Sequence, residues 1–291
     1  MIELATVGEM RAWSRARRAE GRRIGLVPTM GFLHEGHLRL IDRARSLSDA
    51  VVLSLFVNPT QFGPSEDFAR YPRDLGRDRT AADGRGVACL FAPTVNEMYP
   101  RPGVITVEPG PLALHLCGAR RPGHFAGVLT VVAKLLHIVE PDVAVFGRKD
   151  AQQAVLVRRM AADLDFPVAI DVAPTTREPD GIAMSSRNVY LTPPARVAAA
   201  GIPRALDAGH AAFREGEVGA TRIVEIVRDL LAAEPGLAVE YVEAVDPETL
   251  TPVSHATAET LLAVAVRVGP TRLIDNVTLG RGTAGDARVA P

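Results

Sequence analysis

The sequence predicts an α/β protein: a parallel-sheet domain over residues 1–175, followed by a smaller α+β domain over 176–291. Three observations carry this. Apolar runs at 24–27 and 51–57 are near-continuous rather than alternating, as in strands buried on both faces, and 142–146 and 168–173 read as further strands. Helical stretches separate them, which is the pattern of βαβ units. After about Thr175 the pattern changes to Ala-rich helices and then three strand-like runs.

Composition bounds the rest. A chain of 291 residues with 47% hydrophobic content can build one large domain or two ordinary ones. A formal net charge of −1 argues against a general nucleic-acid binder. Cys89 and Cys117 are the only cysteines, so no disulfide framework is implied. The first residues lack the apolar core of a signal peptide, and no apolar run approaches a membrane span of roughly 20 residues, so a cytoplasmic protein is expected. Of 33 basic residues only Lys134 and Lys149 are lysine. A lysine kept in so Arg-biased a chain suits a place where a compact ammonium is wanted, such as contact with phosphate.

Glu9 to Arg18 reads as a short surface helix. Ile24 to Val27 reads as a buried strand closed by Pro28, with Thr29, Met30 and Gly31 as the turn. His34 and His37 follow, three residues apart with Gly36 between them, where Leu38 and Ile41 begin a helical pattern. Two imidazoles then share one side of a helix start, where unpaired amides and the dipole favour an anion such as a triphosphate. A zinc site would need a third ligand, and no Cys or Glu-rich partner lies nearby. Val51 to Val57 is a second strand, ending at Asn58-Pro59-Thr60-Gln61. In a parallel sheet ligands gather at the carboxyl ends of strands, so Asn58 and Gln61 fall on the rim of His34 and His37. Turn chemistry accounts equally well for Asn58.

A polar helix runs to about Asp83, and Val87 to Ala92 is a third strand. Val104 to Glu108 is a candidate strand inside a Pro-, Gly- and Arg-rich stretch, 100–124, that reads as a flap or rim loop carrying Arg120, Arg121 and His124. Phe125 to Val139 is apolar on most faces and reads as a buried helix, with His137 as a packing residue and Lys134 as a snorkelling stem. Asp142 to Phe146 runs into Gly147-Arg148-Lys149-Asp150 and a helix bearing Gln153. Lys149 is placed for phosphate, and Asp150 suits an N-cap. Val168 to Ala173 is the last parallel strand. The loop that follows carries Met184-Ser185-Ser186-Arg187, two hydroxyls and a guanidinium able to bind phosphate oxygens. Pro193 to Phe213 and Ala220 to Ala233 read as two helices. Ala238 to Ala244, Leu261 to Val268 and Arg272 to Leu279 read as antiparallel strands. The closing GDARVAP reads as a loose tail.

The His-x-Gly-His string resembles the signature of the nucleotidyltransferase superfamily, which includes the class I aminoacyl-tRNA synthetases. The longer strings PTMGFLHEGH, FVNPTQF, YPRD, RPGHFAGVLTVV, KDAQQ and GIAMSSRN resemble the pantothenate synthetase family, and the similarity spans residues 24–279. That resemblance implies a Rossmann-like ATP and pantoate domain, a small C-terminal lid domain, and a homodimer. The implied reaction is ATP-dependent condensation of pantoate with β-alanine through a pantoyl adenylate, with Mg²⁺ neutralising the phosphates.

By resemblance, His34 and His37 stabilise the pentacoordinate phosphate, with His37 also a proton donor. Lys149, Ser185, Ser186 and Arg187 hold the phosphates. Pro28, Met30, Gly147, Asp150, Thr176 and Met184 belong to the ATP site. Gln61, Gln153, Asn58 and Arg121 serve pantoate or β-alanine, and Asp78 is the candidate Mg²⁺ ligand. Four positions depart from the family pattern: Phe32, Arg77, Arg148 and Ala151. Arg77 stands where an acid commonly precedes Asp78, which bears on the metal site. The other reading is a divergent homologue that adenylates a related acid or binds nucleotide without catalysis.

Overall fold

The computed structural model describes residues 1–289 except 65, 102 and 104. In chain order its elements are β1 (Ile2–Leu4), α1 (Val7–Ala19), β2 (Ile24–Thr29), α2 (Glu35–Leu47), β3 (Ala50–Leu55), α3 (Leu75–Gly84), β4 (Cys89–Phe91), α4 (Val95–Met98), α5 (Leu116–Arg120), α6 (His124–Val139), β5 (Val143–Gly147), α7 (Ala151–Asp163), β6 (Ala169–Ala173), β7 (Thr176–Arg177), α8 (Pro193–Ala199), α9 (Gly201–Arg214), α10 (Ala220–Ala233), β8 (Leu237–Val245), β9 (Leu261–Val268), β10 (Thr271–Thr278) and β11 (Ala287–Arg288). Two compact units form. The first holds Met1–Gly110, Arg121–Arg148 and Leu156–Ala173. The second holds Pro111–Arg120, Lys149–Val155 and the chain from Pro174 onward.

The first unit is built on a six-stranded parallel sheet in the order β1-β4-β3-β2-β5-β6. The order reverses between β2 and β5, the kind of switch point outside whose carboxyl ends ligands bind in open α/β sheets. Side chains alternate across each strand. Val51 and Leu53 of β3 and Val143 and Val145 of β5 share a buried cluster with Ile41 and Ala44 of α2 and Ala82 of α3. On β2, α1 and α6 also pack against the sheet. Pro28 is tolerated inside β2 because β5 pairs only with Gly25 and Leu26, while β3 pairs as far as Thr29. Edge strand β1 was not expected: three residues are too few to show a period. Its register against β4 is Ile2 to Cys89 through Leu4 to Phe91.

Residues 105–108 form no strand, contrary to expectation, and Val104 lies outside the described residues. Val107 instead donates its amide to Thr130 Oγ1 of α6 at 3.0 Å.

The second unit packs α9 and α10 on the antiparallel sheet β10-β9-β8. Ile223, Val227 and Leu231 recur every four residues along α10 and are fully buried with Leu262, Val264 and Val266 of β9. Each such side chain contributes about 1.5–3 kcal/mol by leaving water. Gly209 allows this approach, since a Cβ there would lie 2.7 Å from both Leu262 and Val227. The helix expected over 193–213 is two helices, because Pro203 lacks the N–H that would continue the ladder from Ala199. The expected loose tail is also corrected over 287–288, where β11 pairs in parallel with β7, while residues 290 and 291 lie outside the described residues.

Candidate active site

The turn between β2 and α2 is fixed by an internal carboxylate. Gly31 and Phe32 both have positive φ, +82° and +51°. Two such residues turn successive amides to one side, and here those amides meet Asp78 of α3. Phe32 N donates to Asp78 Oδ2 and Leu33 N to Oδ1, each at 2.7 Å. Gly31 is required by contact as well as φ, since a Cβ would lie 2.9 Å from Asp78 Oδ2. Phe32 and Arg77, two of the departures from the family pattern, meet one another: the guanidinium lies over the ring at 4.7 Å and donates to Leu33 O at 3.1 Å.

The turn delivers His34 as the N-cap of α2 and His37 one turn in, both half-buried. Their rings stack at 3.9 Å between centroids. His34 N points at His37 Nδ1 at 3.4 Å, a long contact. An accepting Nδ1 assigns the neutral His37 ring its proton on Nε2, which is then a donor.

Gln61 ends a 3₁₀ turn, Pro59–Gln61, capped by Asn58. Its amide is aimed from both ends: Asn58 Nδ2 donates to Gln61 Oε1 at 3.0 Å, and Gln61 Nε2 contacts Met30 Sδ at 3.3 Å. Asn58 itself is 1% exposed. Its Oδ1 accepts from Thr60 Oγ1 and Tyr99 Oη, and its Nδ2 also reaches Gly127 O. So Asn58, expected beside a substrate, instead orients Gln61. Gly127 permits this seat of α6, because a Cβ there would lie 2.2 Å from Thr60 O.

Arg121 was expected, by resemblance, to serve pantoate or β-alanine from a rim loop. The structure gives it an internal anion, Glu66, with Nε to Oε1 at 2.7 Å and Nη2 to Oε2 at 2.5 Å. Burial pushes the Glu66 carboxyl up, but the bonds to Arg121 outweigh it and hold it below the ordinary glutamate value. Arg121 Nη2 and His124 Nδ1 also reach Gln61 O, at 3.3 and 2.8 Å, so both brace the Gln61 backbone. Gly147, at the end of β5, has nothing within 4 Å of where a Cβ would stand. Half-buried Pro28 lies on β2 at the same sheet's switch point.

The second unit carries the other group of candidates. Lys149 and Asp150 sit in the 3₁₀ turn before α7, and Gln153 in its first turn, all half-buried. Asn276 of β10 holds the Lys149 backbone, donating to its carbonyl at 2.9 Å. Gln152, which drew no notice in the sequence, is the buried neighbour of Gln153. It accepts from Gly118 N and donates to Leu112 O and His115 O, so it staples 112–118 to the start of α7. Thr176 is buried in β7, and its carbonyl accepts from Met184 N at 2.9 Å. Ser185 caps the 3₁₀ turn Ser186–Tyr190 by accepting from Arg187 N. Ser186 is buried and Arg187 half-buried. The loop is tied down behind by Asn188, which donates to Glu178 Oε1 and Ala183 O.

The donor set does not fit a protein-held magnesium. Both Asp78 oxygens accept backbone amides, and the side chain is 2% exposed. Among the described residues no group of three or more His, Cys, Asp or Glu could hold a metal ion.

The family model described as pantoate-beta-alanine ligase matches residues 3–278. A pantothenate synthetase of Pelotomaculum thermopropionicum is 52% identical over 281 residues, covering 97% of this chain and all of that one. One of Moorella thermoacetica is 52% identical over 276 residues, covering 95% and 98%. Among solved structures, a pantothenate synthetase of Thermus thermophilus superposes with a TM-score of 0.91 at 47% identity, covering 96% and 99%. A Francisella tularensis pantoate-beta-alanine ligase, complexed with beta-gamma ATP and beta-alanine, superposes with a TM-score of 0.78 at 32% identity, covering 96% and 98%.

Proposed function

The chain belongs to the pantoate–β-alanine ligase family, and from that premise we propose how its residues divide the work. The enzyme condenses pantoate with β-alanine, driven by ATP. A pantoate carboxylate oxygen attacks the α-phosphorus and pyrophosphate leaves. The β-alanine amine then attacks the acyl carbon of the adenylate, the bond to AMP oxygen breaks, and the amine loses a proton as the amide forms.

Both steps call for stabilised charge and positioned reactants rather than a protein nucleophile. The observation that carries the reading is the stacked His34–His37 pair at the switch-point end of β2, and the contact at Nδ1 assigns the donor to His37 Nε2. That donor suits the charge that grows on the α-phosphate oxygens, and His34 flanks it. Gln61, held at both ends, offers pantoate or β-alanine an amide with little orientational freedom left to lose. Gln153 is assigned the same substrates. Asn58, Arg121 and His124 act through Gln61.

In the second unit Lys149, Ser185, Ser186 and Arg187 offer an ammonium, two hydroxyls and a guanidinium to the phosphates and the leaving pyrophosphate. Pro28, Met30 and Gly147 of the first unit, and Asp150, Thr176 and Met184 of the second, are assigned to the nucleotide. The open space at Gly147 supports close approach there. Magnesium travelling with ATP would be held by the nucleotide's own oxygens and water, as Mg²⁺ commonly is. Asp78 serves the turn instead. A homodimer and a cytoplasmic location complete the reading. No helix among the described residues is long and apolar enough to cross a membrane.

The test is pyrophosphate release from ATP with pantoate, with and without β-alanine. Release should require pantoate, and pantothenate should form only with β-alanine. His37→Ala should cut kcat by about 10²–10⁴ with the fold intact. Pantoate-independent release, or a His37→Ala rate within about threefold of the parent, would defeat these roles, since the smallest effect expected is about 10².

A further inference from the structure

The two-residue strand β7 has neighbours on both edges. On one edge Met184 N donates to Thr176 O, and Arg177 bridges to Ala183. On the other lies β11, with Ala287 N donating to Thr175 O at 2.9 Å and Val289 N to Arg177 O at 3.0 Å. Beneath them the Arg177 side chain is wholly buried. Its Nη1 donates to Asp275 Oδ2 at 2.6 Å and to Gly181 O at 3.1 Å, and its Nε donates to Asp286 Oδ2 at 2.7 Å. Asp286 is 1% exposed at its side chain and directly precedes β11. One carboxylate of this cluster therefore comes from a segment beyond residue 278, where the family model ends.

We propose that Asp286–Val289 positions the nucleotide-handling segment of this enzyme. It fixes the backbone of Thr175–Arg177 and, through the cross-bridge to Ala183 and Met184, the placement of Ser185, Ser186 and Arg187. The inference rests on the proposed assignment of Thr176 and Ser185–Arg187 to ATP. A cation buried with two carboxylates holds two chain segments in one geometry, because either carboxylate moving away leaves charge without a partner in a dry site. The backbone bonds of β11 add direction to that hold. Asp286 and Ala287 touch no substrate in this scheme, and they act through β7.

Two variants of the full chain test this. Asp286→Asn keeps the shape and removes the charge. Ala287→Pro deletes the single bond to Thr175 O and leaves the ion cluster intact. Asp286, at φ −90° and ψ 153°, already has a backbone that a following proline accepts. For both, the KM for ATP should rise about tenfold, the loss of roughly one good hydrogen bond's alignment. The KM values for pantoate and β-alanine should stay near the parent's, and hydrogen exchange should quicken over 175–188. Arg187→Ala is measured alongside. If it raises the KM for ATP while a folded Ala287→Pro does not, the positioning role is overturned and the nucleotide assignment stands. If all three KM values rise together in Ala287→Pro, the role is overturned as well, since the defect is then global. If Arg187→Ala leaves the KM for ATP unmoved, the assignment beneath the inference has failed.

Discussion

The turn after β2 and the strand β7 each fix backbone that precedes the candidate phosphate-handling residues, and each uses a buried charge to do it. The charges are opposite and differently paid. In the turn, the Asp78 carboxylate is held by two amides, with the Arg77 cation and the Asp74 carboxylate acting on it from opposite sides of the charge balance. At β7, a guanidinium is held by two carboxylates. Burial alone disfavours the charge on Arg177, but Asp275 and Asp286 outweigh it and push its pKa further up, so it never titrates. For Asp78 the balance falls the other way: burial outweighs the amide bonds and raises the carboxyl above the ordinary aspartate value. The ion cluster keeps its guanidinium permanently charged, although burial raises the Asp275 carboxyl as well, outweighing its bonds to Arg177. The turn holds its carboxylate on amide dipoles, which keeps it compact with small parts, and both carboxyls remain sensitive to pH.

The largest effect expected from this contrast is at Arg177. Arg177→Met leaves two buried carboxylates without a cation and should cost about 3–5 kcal/mol of stability, read by urea unfolding. Replacing all three groups at once, with Asp275→Leu and Asp286→Leu added, should recover much of that loss, because the apolar set carries no desolvation penalty. A loss below about 1 kcal/mol for the single variant would mean that water reaches the cluster, and the contrast with Asp78 would collapse.

Asp78→Asn should cost less, about 1–3 kcal/mol, because one of the two amides then faces an NH₂ instead of an acceptor. It should also lower kcat, since His34 and His37 follow the turn directly. The pH dependence has a definite sign. A folded pKa raised above the unfolded one favours the fold fully below the unfolded value, and that advantage is lost as pH rises through the folded value. Asn has no such dependence. The deficit of Asp78→Asn relative to the parent should therefore be largest in acid and shrink towards neutral pH. A deficit that grows with pH would show that the fold stabilises the carboxylate instead.

The contrast also marks what could be read in the sequence. The motif order placed the strands and the His34, Gln61, Lys149 and Ser185 segments, because each is local: an apolar run, a turn residue, a helix start. What was missed is held by partners far along the chain. Asp78 lies 46 residues from Phe32, and Asp286 lies 109 from Arg177. Nothing local marks Asp78 as a turn anchor, and a family resemblance pulled it towards a metal instead. The same holds for Gln152, whose backbone partners lie 34 to 40 residues away. Asn58 could be placed but not assigned, since a capping Asn and a ligand Asn look alike until burial is known. The positive φ of Phe32 had no sequence signal either, because a Phe is a rare choice there and the Asp78 and Arg77 contacts that accompany it come from far along the chain.

The smallest effect sharpens the contrast from its other end. Arg43 of α2 and Asp171 of β6 form a two-bond pair, Nε to Oδ1 at 3.0 Å and Nη2 to Oδ2 at 2.8 Å. By bond geometry it matches the two-bond pair of Arg177 with Asp275. The difference is solvent, since the Arg43 side chain is 48% exposed and that of Arg177 is buried. Water already solvates both partners when the pair breaks, so neither is left stranded. Arg43→Ala should cost at most about 1 kcal/mol, and half-molar salt should erase most of that by screening. If Arg43→Ala instead approached the loss of Arg177→Met, bond geometry and not burial would set the strength of these pairs. The strength assigned to the Asp286 contact would then need no buried site at all.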